Sequence, residues 1–114
     1  MYRFRECTHG CTWRSRRSFD RHIHKLGTVH RIHGYVYQSK YNTDAAVMIT
    51  GSQGTMRLSG LSWGYGGEGP AGLRYVLEQL NVTPDNIRKV LATPWTFDKV
   101  GVQWEINRQV REAA

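Results

Sequence analysis

The sequence predicts an α+β fold: a small antiparallel sheet with two or three short helices, preceded by an N-terminal module rich in cysteine and histidine. Three observations predict it. Both cysteines and all five histidines fall within the first 33 residues. From Arg31 onward, period-2 alternation marks strands. After a glycine-rich loop, two stretches carry apolar residues at helical spacing.

The N-terminal module comes first. Cys7, Cys11, His24 and His30 are separated by 3, 12 and 5 residues, a spacing within the range of a two-Cys, two-His zinc site. Two thiolates leave one tight turn, eased by Gly10, and two imidazoles complete the tetrahedron from a following helix. That helix is expected over Phe19 to Leu26, with Ser18 as N-cap and Gly27 as stop. Its periodicity puts His22, rather than His24, on the side of Phe19, Ile23 and Leu26, so His22 is the alternate third ligand. Ser15 and Arg21 stand where zinc-finger patterns carry an aromatic residue and a leucine. A short-loop disulfide or two ordinary buried thiols are the competing explanations for the cysteines.

Charge follows the same division. Residues 1–33 hold eight Lys and Arg against Glu6 and Asp20, whereas residues 34–114 are nearly balanced, within a total of +7. The chain therefore divides into a basic zinc-finger-like module, residues 1–33, and an α+β domain, residues 34–114. Arg14, Arg16, Arg17, Arg21 and Lys25 lie on or before the expected helix, where guanidinium and ammonium groups meet phosphates.

In the second segment, Tyr35 and Tyr37 alternate with Val36, and Ala45 to Thr50 forms a hairpin with Thr55 to Leu58 across the turn Ser52-Gln53-Gly54. Six of the 12 glycines fall between Gly60 and Gly72. Pro70 opens a helix whose stripe is Leu73, Val76, Leu77 and Leu80. Thr83 caps a second, started by Pro84 and packed through Ile87, Val90 and Leu91. Val100, Val102, Trp104 and Ile106 read as a final strand, and the tail from Asn107 as a short helix.

The loop suggests two uses. Trp63, Gly64, Tyr65, Gly66, Gly67 and Gly69 could form a ligand-binding loop, with backbone N–H groups ahead of a helix cradling a phosphate and aromatic faces stacking a base. They could equally be tight packing, with Trp63 plugging the core. The loop has neither the P-loop lysine nor the dinucleotide fingerprint.

The run Ser62-Trp63-Gly64-Tyr65-Gly66-Gly67-Glu68-Gly69-Pro70, followed by an amphipathic helix, resembles an uncharacterised small domain family of bacteria and their phages. Members share a Trp-Gly-Tyr-Gly-Gly-Ser-Gly-Pro signature; here Glu68 replaces the serine. The resemblance spans about residues 32–106, excludes the Cys/His segment and brings no activity with it. With the small basic size of the chain it implies a phage protein in a bacterial cytoplasm; joined to the glycine loop, this gives the alternative of an anti-defence protein that sequesters a nucleotide signal or blocks a host defence protein.

No apolar run approaches the roughly 18 residues of a membrane span, so the chain reads as soluble and cytoplasmic, with no membrane partner. Taken together, these features predict a non-enzymatic binding protein for an anionic partner, nucleic acid before nucleotide, with zinc as cofactor and the second segment as a platform or homodimer surface. A zinc-dependent nuclease is the enzymatic alternative, with His9, His22 and His33 as spare imidazoles and Glu68 as a candidate base.

Overall fold

A computed structural model describes residues 1–6, 11–38, 40, 43–94 and 100–108. The fold is α+β. Its five strands are β1 (Tyr2–Arg5), β2 (Val29–Gln38), β3 (Thr43–Gly51), β4 (Gly54–Leu58) and β5 (Gly101–Asn107). Its helices are α1 (Thr12–His22), extended by a 3-10 turn over Ile23–Leu26, α2 (Glu68–Gln79) and α3 (Pro84–Leu91).

The strands form one sheet in the order β1-β4-β3-β2-β5. The expected hairpin is present as β3 and β4, joined at Gly51 and Gly54. The sheet departs from the antiparallel expectation at one edge. β1 runs parallel to β4, pairing Tyr2 with Gly54 and Arg5 with Arg57. A four-residue strand bearing only two apolar side chains leaves too short an alternation to recognise in the sequence.

Register sorts the side chains onto two faces. Ile32 pairs with Ile49, Gly34 with Val47, Met56 with Ile49 and Leu58 with Val47. Ile32, Val47, Ile49, Met56 and Leu58 join Phe19 and Leu26 from the first helical segment, Leu73, Val76 and Leu77 from α2, and Ile87 and Val90 from α3 in one core cluster. Residues 1–33 and the rest of the chain thus feed the same core. All the described helices pack on this face.

Two tryptophans close the core. Trp63 is fully buried and meets Trp104 edge to face, with ring centroids 5.6 Å apart. The Trp104 indole lies directly on Gly34, where a Cβ would come within 2.3 Å of its Nε1. Beside this contact β5 carries an irregularity, because Trp104 pairs with Gly34 but Val102 with Tyr35.

α1 begins seven residues before the expected start at Phe19, and the expected span splits into its end and the 3-10 turn. The reason is a polar anchor. Ser15, fully buried, donates to Glu6 Oε1 at 2.5 Å and accepts from the Gly60 N–H at 2.8 Å. Glu6 also accepts from the Ser59 N–H, and the Thr12 hydroxyl donates to the Gly60 carbonyl. These bonds fix the first turn of α1 against the end of β4, so burial starts at Ser15 and continues at Phe19, one turn later. α2, α3 and β5 lie where the stripes and alternation put them, and the Thr83 side chain caps α3 by accepting from the Asn86 N–H. The expected C-terminal helix falls outside the described residues beyond residue 108.

Candidate nucleic-acid interface

The anchor that buries Ser15 and Phe19 turns the opposite side of α1 to solvent. Trp13, Arg14, Arg16, Arg17 and Arg21 are all exposed, as is Lys25 on the 3-10 turn. Trp13 is 62% exposed, an unusual position for an indole. The Arg17 guanidinium lies over its ring at 5.4 Å. Arg16 lies 4.0 Å over Tyr75 of α2, and Lys25 5.2 Å over Tyr2. Asp20, the only acid within α1, accepts from the Tyr75 hydroxyl at 2.7 Å. That hydrogen bond, with burial and the Asp20 charge, raises the Tyr75 pKa against the opposing effect of Arg16. Trp13, Arg16, Arg17, Asp20 and Glu68 line a groove of about 480 Å³ between α1 and α2.

The five basic residues predicted to meet nucleic acid are all exposed on α1 or the 3-10 turn, with Arg16 turned to Tyr75 and Lys25 to Tyr2. Arg14, Arg17 and Arg21 follow a single stripe at helical spacing, with Arg16 flanking the groove.

The sheet face turned away from the helices was missed as a site by the sequence reading. Its signal was present in the alternation of Tyr35 and Tyr37 with Val36. Register puts Arg31, His33, Tyr35 and Tyr37 of β2 on this face, with Met48 of β3, Arg57 of β4 and Arg3 and Arg5 of β1. His33, Tyr35 and Tyr37 form an aromatic row, with successive centroids 5.6 and 5.8 Å apart. Arg57 lies 4.8 Å over Tyr37. Arg31 pairs with Glu105 across β5. Burial, and then the Arg31 charge, lowers the His33 pKa more than Glu105 raises it.

The glycine loop has a different character. Trp63 packs in the core and offers no face to a base, whereas Tyr65 is 55% exposed and shares a 2.7 Å hydrogen bond with Ser62. Gly64 and Gly67 have positive φ, but Gly66 does not, and Gly69 packs closely on Ser62. Gly67 caps α2 without a side-chain bond. An incoming phosphate there would meet the Glu68 carboxylate in the first turn, and Pro70 has no N–H to give. The surrounding hollow, of about 260 Å³, is lined by Tyr65, Gly66, Gly67, Pro70, Arg74 and Leu91.

The zinc-ligand candidates are spread over three elements. Cys11 is exposed at the start of α1, His24 is exposed on the 3-10 turn, and His30 lies on β2. His22 stacks on Phe4 at 4.2 Å, and its Nδ1 lies 2.6 Å from the Tyr2 hydroxyl. Burial and the charges of Lys25, Arg21 and His24 lower its pKa. Cys7 lies outside the described residues, as does His9. Among the described residues, no three His, Cys, Asp or Glu side chains gather as a metal site, and no zinc-finger module is formed. Among the described residues no helix is long and apolar enough to cross a membrane.

Comparison with known proteins adds no relative: no protein-family model, curated protein or solved structure matches the chain.

Proposed function

We propose that this protein binds nucleic acid without catalysing a reaction on it, using the outward face of α1 against the phosphate backbone. The observation that carries the reading is the exposed stripe Arg14, Arg17 and Arg21, flanked by Arg16 and Lys25, whose one intrahelical acid is engaged by Tyr75. Arginines packed this densely repel one another, and an anionic polymer relieves that repulsion while releasing counterions. Trp13 and its stacked Arg17 add an apolar and π surface against sugar or an exposed base.

The test is fluorescence anisotropy of labelled oligonucleotides, duplex and single-stranded, across a salt series. The variant carries Arg14→Glu, Arg17→Glu and Arg21→Glu together. These side chains are exposed, so the fold is expected to survive. Binding should be lost near physiological salt, and the log–log salt slope should flatten by about 2–3 units, at roughly 0.7–0.9 per phosphate contact. An unchanged affinity and slope would overturn the proposal.

A further inference from the structure

We infer that the helix-free face of the sheet is a second surface, a platform for single-stranded nucleic acid that stacks bases on Tyr35 and Tyr37 and holds phosphates at Arg3, Arg5 and Arg57. The inference goes beyond the reading of α1, because it concerns the opposite side of the sheet and the chemistry of bases rather than backbone charge alone.

Four observations support it. Among the described residues every helix packs on the other face, so His33, Tyr35 and Tyr37 form an aromatic row that no described helix covers. Around this row, among the described strand residues, register places Arg3, Arg5, Arg31 and Arg57 with two acids, Asp44 and Glu105, and Glu105 is paired with Arg31. Arg5 and Arg57 are register partners on adjacent strands, so both guanidinium stems rise from the same part of this face. Finally, Arg57 is only 8% exposed, its Nε has no hydrogen-bond partner, and it lines a cavity of about 400 Å³ with Arg3, Arg5, Tyr35, Met48 and Thr55. A buried guanidinium with an unused donor is costly unless a ligand completes it.

The occupant follows from this chemistry. A cavity of this size, with an aromatic wall and an arginine rim, suits a base and its phosphate. Duplex bases present only their edges in the grooves, whereas rings on a sheet face stack on an unpaired π face. Both RNA and DNA single strands offer that face.

The experiment measures the binding of oligo-dT and oligo-rU 12-mers and of a 12-base-pair duplex to the whole protein. Variants are Tyr35→Leu, Tyr35→Phe and Arg3→Glu. Tyr35→Leu should weaken single-strand binding by about 5- to 150-fold, the range expected for one lost stacking contact, and leave duplex binding unchanged. Tyr35→Phe should retain it. Arg3→Glu, on an exposed edge position, should weaken single-strand binding and lower its salt slope even if Tyr35→Leu fails to fold. Single-strand binding unaffected by both Tyr35→Leu and Arg3→Glu would overturn the inference. Loss of all binding in the α1 triple variant alone would leave the α1 reading standing without it. Loss in the sheet variants, with the α1 variant intact, would do the reverse. No binding to any oligonucleotide would overturn both.

Discussion

Trp63 and Gly34 show how much depends on one side chain or its absence. Trp63 is fully enclosed beside Trp104, so Trp63→Ala should cost about 3–5 kcal/mol and lower Tm steeply, without a specific change in ligand binding. Gly34→Ala places a methyl within 2.3 Å of the Trp104 indole and should cost about 1–3 kcal/mol by forcing that ring outward; thermal melting checks both. Two histidines add a pH dependence. His22 and His33 both have pKa values below the ordinary 6.5, chiefly through burial. The unfolded chain therefore takes up protons first as pH falls. The stability contribution is complete above about pH 6.5 and declines below it. Tm should fall between pH 7 and pH 5, and His33→Gln should flatten that profile; an identical profile in the variant would exclude His33 as a source. Some of this scale was legible. The alternation of Tyr35, Val36 and Tyr37 gave the faces of β2. The burial of Ser15 was not, because its partners Glu6 and Gly60 lie nine and 45 positions away in the chain.

At the scale of elements, α2 and α3 were legible because stripe, proline and cap agree with one another. α1 was misplaced because its buried side is half polar, and apolar periodicity does not register a serine held by a carboxylate. The loop before α2 was legible as a turn but not in its details. Gly67 adopts φ 142° and ψ −168°, a region almost closed to other residues, whereas Gly66 lies outside the positive-φ region with open space where a Cβ would stand. Gly67→Ala should therefore cost about 1–3 kcal/mol, while Gly66→Ala should stay within about 0.5 kcal/mol of the parent. Equal losses at the two positions would show that something other than backbone conformation constrains the loop. Thr83→Ala should cost about 1 kcal/mol by removing the bond to the Asn86 N–H.

Over the whole molecule, Glu6 joins three parts of the chain. Its carboxylate bonds Ser15 of α1 and the Ser59 N–H after β4, while its own N–H donates to the Arg57 carbonyl. Glu6→Ala should leave the Ser15 hydroxyl and the Ser59 N–H short of an acceptor and cost about 1–3 kcal/mol, read as a lower denaturant midpoint at an unchanged m-value. The overall α+β character was legible from strand and helix signals, but the mixed sheet was not. Parallel pairing between segments about fifty residues apart leaves no turn signature, and charge together with the clustered cysteines and histidines set the first 33 residues apart.

That parallel pairing also has a temporal consequence. During synthesis Tyr2 is made more than fifty residues before Gly54, its neighbour in the sheet, and the β3–β4 hairpin must form before any docking edge exists. Such a distant contact forms only after the entropy of closing a long loop has been met. β1 should therefore fold late, and until it does the β4 edge is open to pairing with another chain. In pulse-labelling hydrogen exchange the amides of β1 should gain protection after those of β2 and β3. A slow ribosome, or a mutation that delays the hairpin, would lengthen the interval in which nascent chains can pair with one another instead of closing their own sheet.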